Sequence, residues 1–137
     1  MIMKNLLLLL CFVSALSACK KDPDPEADAA SKVAGTYQMT SVTQNGVAVS
    51  LPLSQSGVTL SGIVVATRKE ANTVTIALTL KQTGQADQTG GGDLTLAKSG
   101  NSYDLMDGTT KVGTADGTNL TLSVSDGSGQ SSIIAKR

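Results

Sequence analysis

The chain has 137 residues, with 11 basic and 11 acidic side chains, no histidine, no tryptophan and only three aromatic residues. This balance excludes the basic face that nucleic acid requires, and the missing imidazole excludes a histidine base and histidine-bound metal centres. With so few rings there is little surface for stacking sugars or bases, so no enzyme, cofactor or metal chemistry is expected.

The N-terminus reads as a targeting segment. Lys4 gives a positive start, Leu6 to Val13 is apolar, and Ser14, Ala15, Ser17 and Ala18 are small, which is the layout of a secretory signal peptide. The apolar run is too short for the ~20 residues that a membrane span needs, so residues 1–18 are set aside from the fold. Leu16-Ser17-Ala18-Cys19 resembles the lipobox of bacterial lipoproteins. The resemblance implies that the Cys19 sulfur takes a diacylglyceryl group, that the leader is cut before it, and that Cys19 becomes an N-terminus acylated with chains such as palmitate. More than one acyl chain is sufficient for stable attachment, so the expected location is a lipid-anchored one at the Gram-negative outer membrane or cell surface. Cys11 leaves with the leader, and no disulfide remains. Residues 19–32 then form the lipidated cysteine and a disordered tether. From Lys20 to Lys32 nothing apolar is larger than alanine, and Pro23 and Pro25 favour an extended spacer.

The rest, residues 33–137, reads as one all-β domain. Gly35 to Thr43 is a first strand, and Asn45-Gly46 a two-residue hairpin turn. Val47 to Leu53 is a second strand, interrupted by Pro52. Gly57 to Thr67 changes its apolar phase near Gly62, which predicts a bulge. Arg68 to Ala71 is expected as a charged turn. The clearest strand runs from Asn72 to Lys81, with Val74, Ile76, Leu78 and Leu80 on one face and mostly threonines on the other. Thr83 to Gly92 is expected as a long, flexible loop. Asp93 to Ala97, Ser102 to Met106, Thr110 to Thr114, Asn119 to Ser125 and Ser131 to Arg137 complete the set. They are separated by Ser99-Gly100-Asn101, Asp107-Gly108, Asp116-Gly117 and Asp126-Gly127. No window has a sustained helical period. Short strands and tight turns at this spacing predict an antiparallel up-and-down meander of about eight strands, closed as a barrel or folded as a β-sandwich.

The stretch Val33 to Val42, followed by Asn45-Gly46, resembles the start of the small lipocalin-like domains carried by bacterial lipoproteins. Those domains open with Gly-x-Trp on the first strand, and Gly35-Thr36-Tyr37 matches with tyrosine in place of tryptophan. The resemblance implies a lipocalin-like barrel in which a basic residue of the final strand, Arg137 or Lys136, packs over the Tyr37 ring at the barrel end.

Two functions fit these residues. Val74, Ile76, Leu78, Leu80, Leu120, Leu122 and Val124 line either a site for a small apolar ligand or a filled core. In the second case the outer faces and the Thr83–Gly92 loop would contact an envelope protein. Asp104 and Asp107 could lie near each other across a strand end, where a carboxylate pair could serve acid/base work. For the N-terminus, Cys19→Ala should abolish labelling by radioactive palmitate and release the protein from the membrane fraction. Retained label in that variant would remove the anchor from Cys19.

Overall fold

The computed structural model describes residues 28–126 and 129–137. The leader, Cys19 and the tether as far as residue 27 lie outside the described residues, as does Gly127 of the last Asp-Gly turn. A five-residue helix, α1 (Ala29–Val33), precedes ten strands: β1 (Gly35–Gln44), β2 (Val47–Ser50), β3 (Leu53–Gln55), β4 (Val58–Glu70), β5 (Thr73–Gln82), β6 (Gln88–Ser99), β7 (Ser102–Asp107), β8 (Thr110–Ala115), β9 (Asn119–Asp126) and β10 (Gly129–Lys136). They form one sheet in the order β2-β1-β10-β9-β8-β7-β6-β5-β4-β3, and β1 also pairs with β4. That pairing, Gly35 to Gln38 against Ala66 to Ile63, closes β1 and β4 through β10 into an eight-stranded antiparallel barrel. A sheet with apolar residues on one face hides them by closing, and closure also removes its edges. The sandwich alternative is thereby excluded.

β2 and β3 are extra strands at the seam. Past a register shift between Met39 and Ser41, β1 leaves β4 and pairs with β2, Ser41 to Gln44 against Ser50 to Val47. β4 correspondingly begins against β3. The expected single strand from Val47 to Leu53 is therefore two, separated at Leu51-Pro52. Both hairpins turn on paired positive φ angles, Asn45-Gly46 at 50° and 83° and Ser56-Gly57 at 53° and 80°, which is the backbone that two-residue hairpins prefer.

Several other expectations change. Arg68, Lys69 and Glu70 continue β4 through a register shift between Arg68 and Glu70 instead of forming a turn, and Arg68 and Lys69 pair with Asp28 and Asp93. No bulge occurs at Gly62, which pairs in register with Leu80. The inward row of β4 passes through Leu60, Gly62, Val64 and Ala66, and a Cβ at Gly62 would overlap Met39 Sδ. Ile63 and Val65 therefore face outward. The tether ends before Lys32, since α1 folds under the barrel with Ala30 and Val33 fully buried. Asp28 caps α1 by accepting from the Ser31 N–H at 3.1 Å, and the Ala30 N–H donates to Ala71 O at 3.0 Å.

Burial is graded along the barrel. At the α1 end Tyr37, Val64, Val74, Leu105, Leu120 and Ala135 are wholly buried, while Val124 at the other end is half exposed. The Asp116-Gly117 turn sits at the sealed end. Its carboxylate accepts from the backbone N–H of Asn119 at 2.7 Å and of Thr118 at 2.8 Å, and these bonds hold Asp116 below the usual carboxylate range, Asn119 contributing most.

Two outcomes follow from this gradient and this turn. Leu105→Ala should cost about 2–5 kcal/mol in urea unfolding, and Val124→Ala no more than about 0.5 kcal/mol. Equal losses would contradict the sealed-and-open arrangement. A carboxyl with a native pKa below its unfolded one contributes stability above the unfolded value and loses it as pH falls through the native value. The melting temperature of Asp116→Asn should therefore fall less steeply than that of the unmodified chain below about pH 4. Parallel curves would show that Asp116 carries none of the acid sensitivity.

Candidate functional site

The two strands with the cleanest alternation position the interior. Along β5 the inward row is Val74, Ile76, Leu78, Leu80, the first two buried and the last two partly open. Along β9 it is Leu120, Leu122, Val124, with relative exposure of 0%, 4% and 50%. The seven candidate lining residues thus share one interior, but they divide along its length. Val74 and Leu120 belong to the sealed core and border no cavity described here.

Three half-open cavities of the open half are bordered by candidate lining residues. One of about 460 Å3 lies behind the split seam, bordered by Val42, Val49, Leu60 and Leu80. A second, of about 200 Å3, spans the barrel from Met39 and Ile133 to Leu78, Leu80 and Gly90. The third, of about 470 Å3, lies under β6 to β9 and is bordered by Ile76, Leu78, Gly92, Val112, Leu122 and Val124. Val42 and Leu80 are walls of both the first and the second, and Leu78 of both the second and the third. Small-molecule sites are mostly apolar and occupy about 300–1,000 Å3.

β6 is bare at the centre of this space. Gly90, Gly91 and Gly92 pair with Leu78, Ala77 and Ile76, so the expected flexible loop is a strand, and the connection shrinks to residues 83–87. Gly90 and Gly92 continue the inward row of Leu94 and Leu96, and a Cβ at either would meet nothing within 4 Å. The sequence signal was available in the even spacing of Gly90, Gly92, Leu94 and Leu96.

The sealed end holds the three signature residues. The Tyr37 ring is fully buried, and its hydroxyl donates to Val33 O at 2.5 Å. The Arg137 guanidinium lies 5.2 Å from the ring centroid, within cation–π range, and donates to Ala34 O. Gly35 passes beneath it at φ 151°, where a Cβ would overlap the guanidinium. Burial pushes the Tyr37 phenol above its ordinary value, opposed by the Arg137 cation and aided by Asp116. It stays protonated and donates. These residues close the barrel and are remote from the cavities.

The carboxylates do not assemble a pair. Asp104 stands on the outer face, bound to Lys111 Nζ at 3.0 Å, whereas Asp107 continues the inward row of Tyr103 and Leu105 and borders the largest cavity. Asp93 is an outer-face residue held below the usual range by Lys69 and then by Thr75, whose hydroxyl donates to it at 2.7 Å. Among the described residues, no group of three or more metal-ligating side chains converges.

No protein-family model matches the chain. No curated protein matches it either. Among solved structures, the redesigned β barrel b11L5F_LGL is similar at a TM-score of 0.50 and 16% identity, covering 80% of this chain and 95% of that one. The redesigned β barrel mFAP1, solved bound to DFHBI, gives a TM-score of 0.48 at 16% identity, covering 80% of this chain and 99% of that one. At such identity the first likeness extends to the fold alone. The chain is a closed antiparallel β-barrel, sealed at one end and apolar and open at the other, a form compatible with holding a ligand.

Proposed function

We propose that this chain is a lipid-anchored envelope protein, fixed to the outer membrane or cell surface through Cys19, whose barrel holds a small apolar molecule in its open half. It acts by binding, without catalysis. The observation that carries this reading is the pair of bare inward positions, Gly90 and Gly92, facing neighbouring cavities walled by Val42, Leu78, Leu80 and Leu122. A core meant only to be filled would gain from a methyl-bearing residue at each, since every buried methylene contributes about 0.8 kcal/mol. Leaving both empty keeps room for a guest. The lipobox-like Leu16-Ser17-Ala18-Cys19 supports the anchor, and the Gly35, Tyr37 and Arg137 closure supports the lipocalin-like comparison.

A second reading draws on the seam. β2 and β3 are the two ends of the sheet order, and Val47, Leu53 and Val58 beside them are exposed. An envelope protein adding a strand at either edge would cover them.

The test is to fill the space. Gly92→Leu places an aliphatic side chain where a Cβ meets no other atom, so thermal stability should be unchanged or raised. Native mass spectrometry of residues 20–137 after exposure to an envelope lipid extract should show a bound small molecule that Gly92→Leu reduces at least about tenfold. An unadorned mass for the unmodified domain would remove the ligand reading and leave the seam edges as the place to seek a partner.

A further inference from the structure

We infer that the guest is a single-chain amphiphile with an uncharged polar head, an acyl ester, amide or alcohol, and not a fatty-acid anion. This rests on the reading of the open half as a ligand site. Three of the inward rows that form the cavities end at the mouth in amides. On β1 the row runs Val42 then Gln44, on β5 Leu80 then Gln82, and on β6 Gly90 then Gln88. Gln44 borders the cavity behind the seam, and Gln88 with Thr89 borders the middle one. The row on β7 ends in Asp107, a carboxylate at the edge of the largest cavity.

No lysine or arginine borders any of the three cavities. Among the described residues, the two cations on the open half stand outside. Lys81 is exposed on the outward row of β5, paired with Ser61, and Lys111 is bound to Asp104 on the outer face. Lys32, Arg68, Lys69, Lys98, Lys136 and Arg137 all belong to segments at the sealed end.

This distribution selects against an anionic head. A carboxylate drawn to the mouth by its chain would lose water, meet no counter-ion and face Asp107, and an unpaired charge taken from water is costly. A hydroxyl, ester or amide head meets glutamine side chains, each with two N–H donors and a carbonyl acceptor. The apolar walls supply affinity for any chain, and the rim supplies the choice between heads.

The experiment compares two ligands with the same chain. Palmitate and 1-monopalmitoylglycerol, each below its aggregation limit at pH 8, are titrated into residues 20–137, which contain every described residue. Monopalmitoylglycerol should bind at least about tenfold more tightly, and Gln88→Lys, adding a cation at an exposed rim position, should narrow or reverse that ratio. Palmitate binding as tightly or more tightly to the unmodified domain would overturn the neutral-head inference and leave the ligand reading standing. Failure of both lipids to bind would overturn both.

Discussion

Four residue pairs between β1 and β4 make this sheet a barrel, and the rest of the molecule follows from how short that contact is. Had β1 stayed with β4 along its whole length, both ends would have been built alike. It does not, because the chain slips by a residue between Met39 and Ser41 and the inward row passes from Tyr37 and Met39 to Val42 and Gln44. From there β1 takes β2 as its partner. The zipped part coincides with the buried Tyr37 ring, its bond to Val33 O and the Arg137 cover. The unzipped part coincides with the cavities. One strand with two partners in succession therefore gives the barrel its sealed end and its open end.

The two ends also differ in how polar groups are handled. Apart from the tyrosines, no described polar or charged side chain is buried, so the interior offers a guest almost wholly apolar contacts. Polar groups act at the margins. At the sealed end they satisfy backbone atoms, as Asp116 does for the turn and Arg137 for Ala34. At the mouth they form a rim that includes amides and Asp107. Strength of burial and selectivity are assigned to different residues, at different depths of the same rows.

The sequence made the parts governed by strict alternation legible. β5 and β9 alternate without interruption, Asp-Gly pairs bracket β9 in the sequence, and the interior rows follow from the alternation. The Tyr37–Arg137 contact was legible from a resemblance, since nothing local links residues separated by a hundred positions. What was missed has physical reasons. Gly90 to Gly92 carry no side chains and read as slack, yet their pairing with β5 is a tertiary fact that overrides low strand propensity. Gly62 hid the inward row of β4, so the change of apolar phase beside it read as a bulge. Helix α1 is too short to display a period, and a helix of one turn is held by its packing, not by its own propensity. The split at Leu51-Pro52 depends on two strands parting around a seam that no local pattern encodes.

The pairing of β1 with β10, Gln38 against Lys136 and Gln44 against Ser131, bears on how the domain is made. Within this domain β1 is made well before its neighbour β10, with every other strand between them in the chain. Until then β1 can find β2 and β4 but not its second wall, and the apolar rows of β5 and β9 remain uncovered. Folds dominated by such distant pairings assemble slowly, and exposed rows of this kind invite association between chains. The threonines, serines and charges that alternate with those rows keep the incomplete sheet wet on its other face throughout the wait.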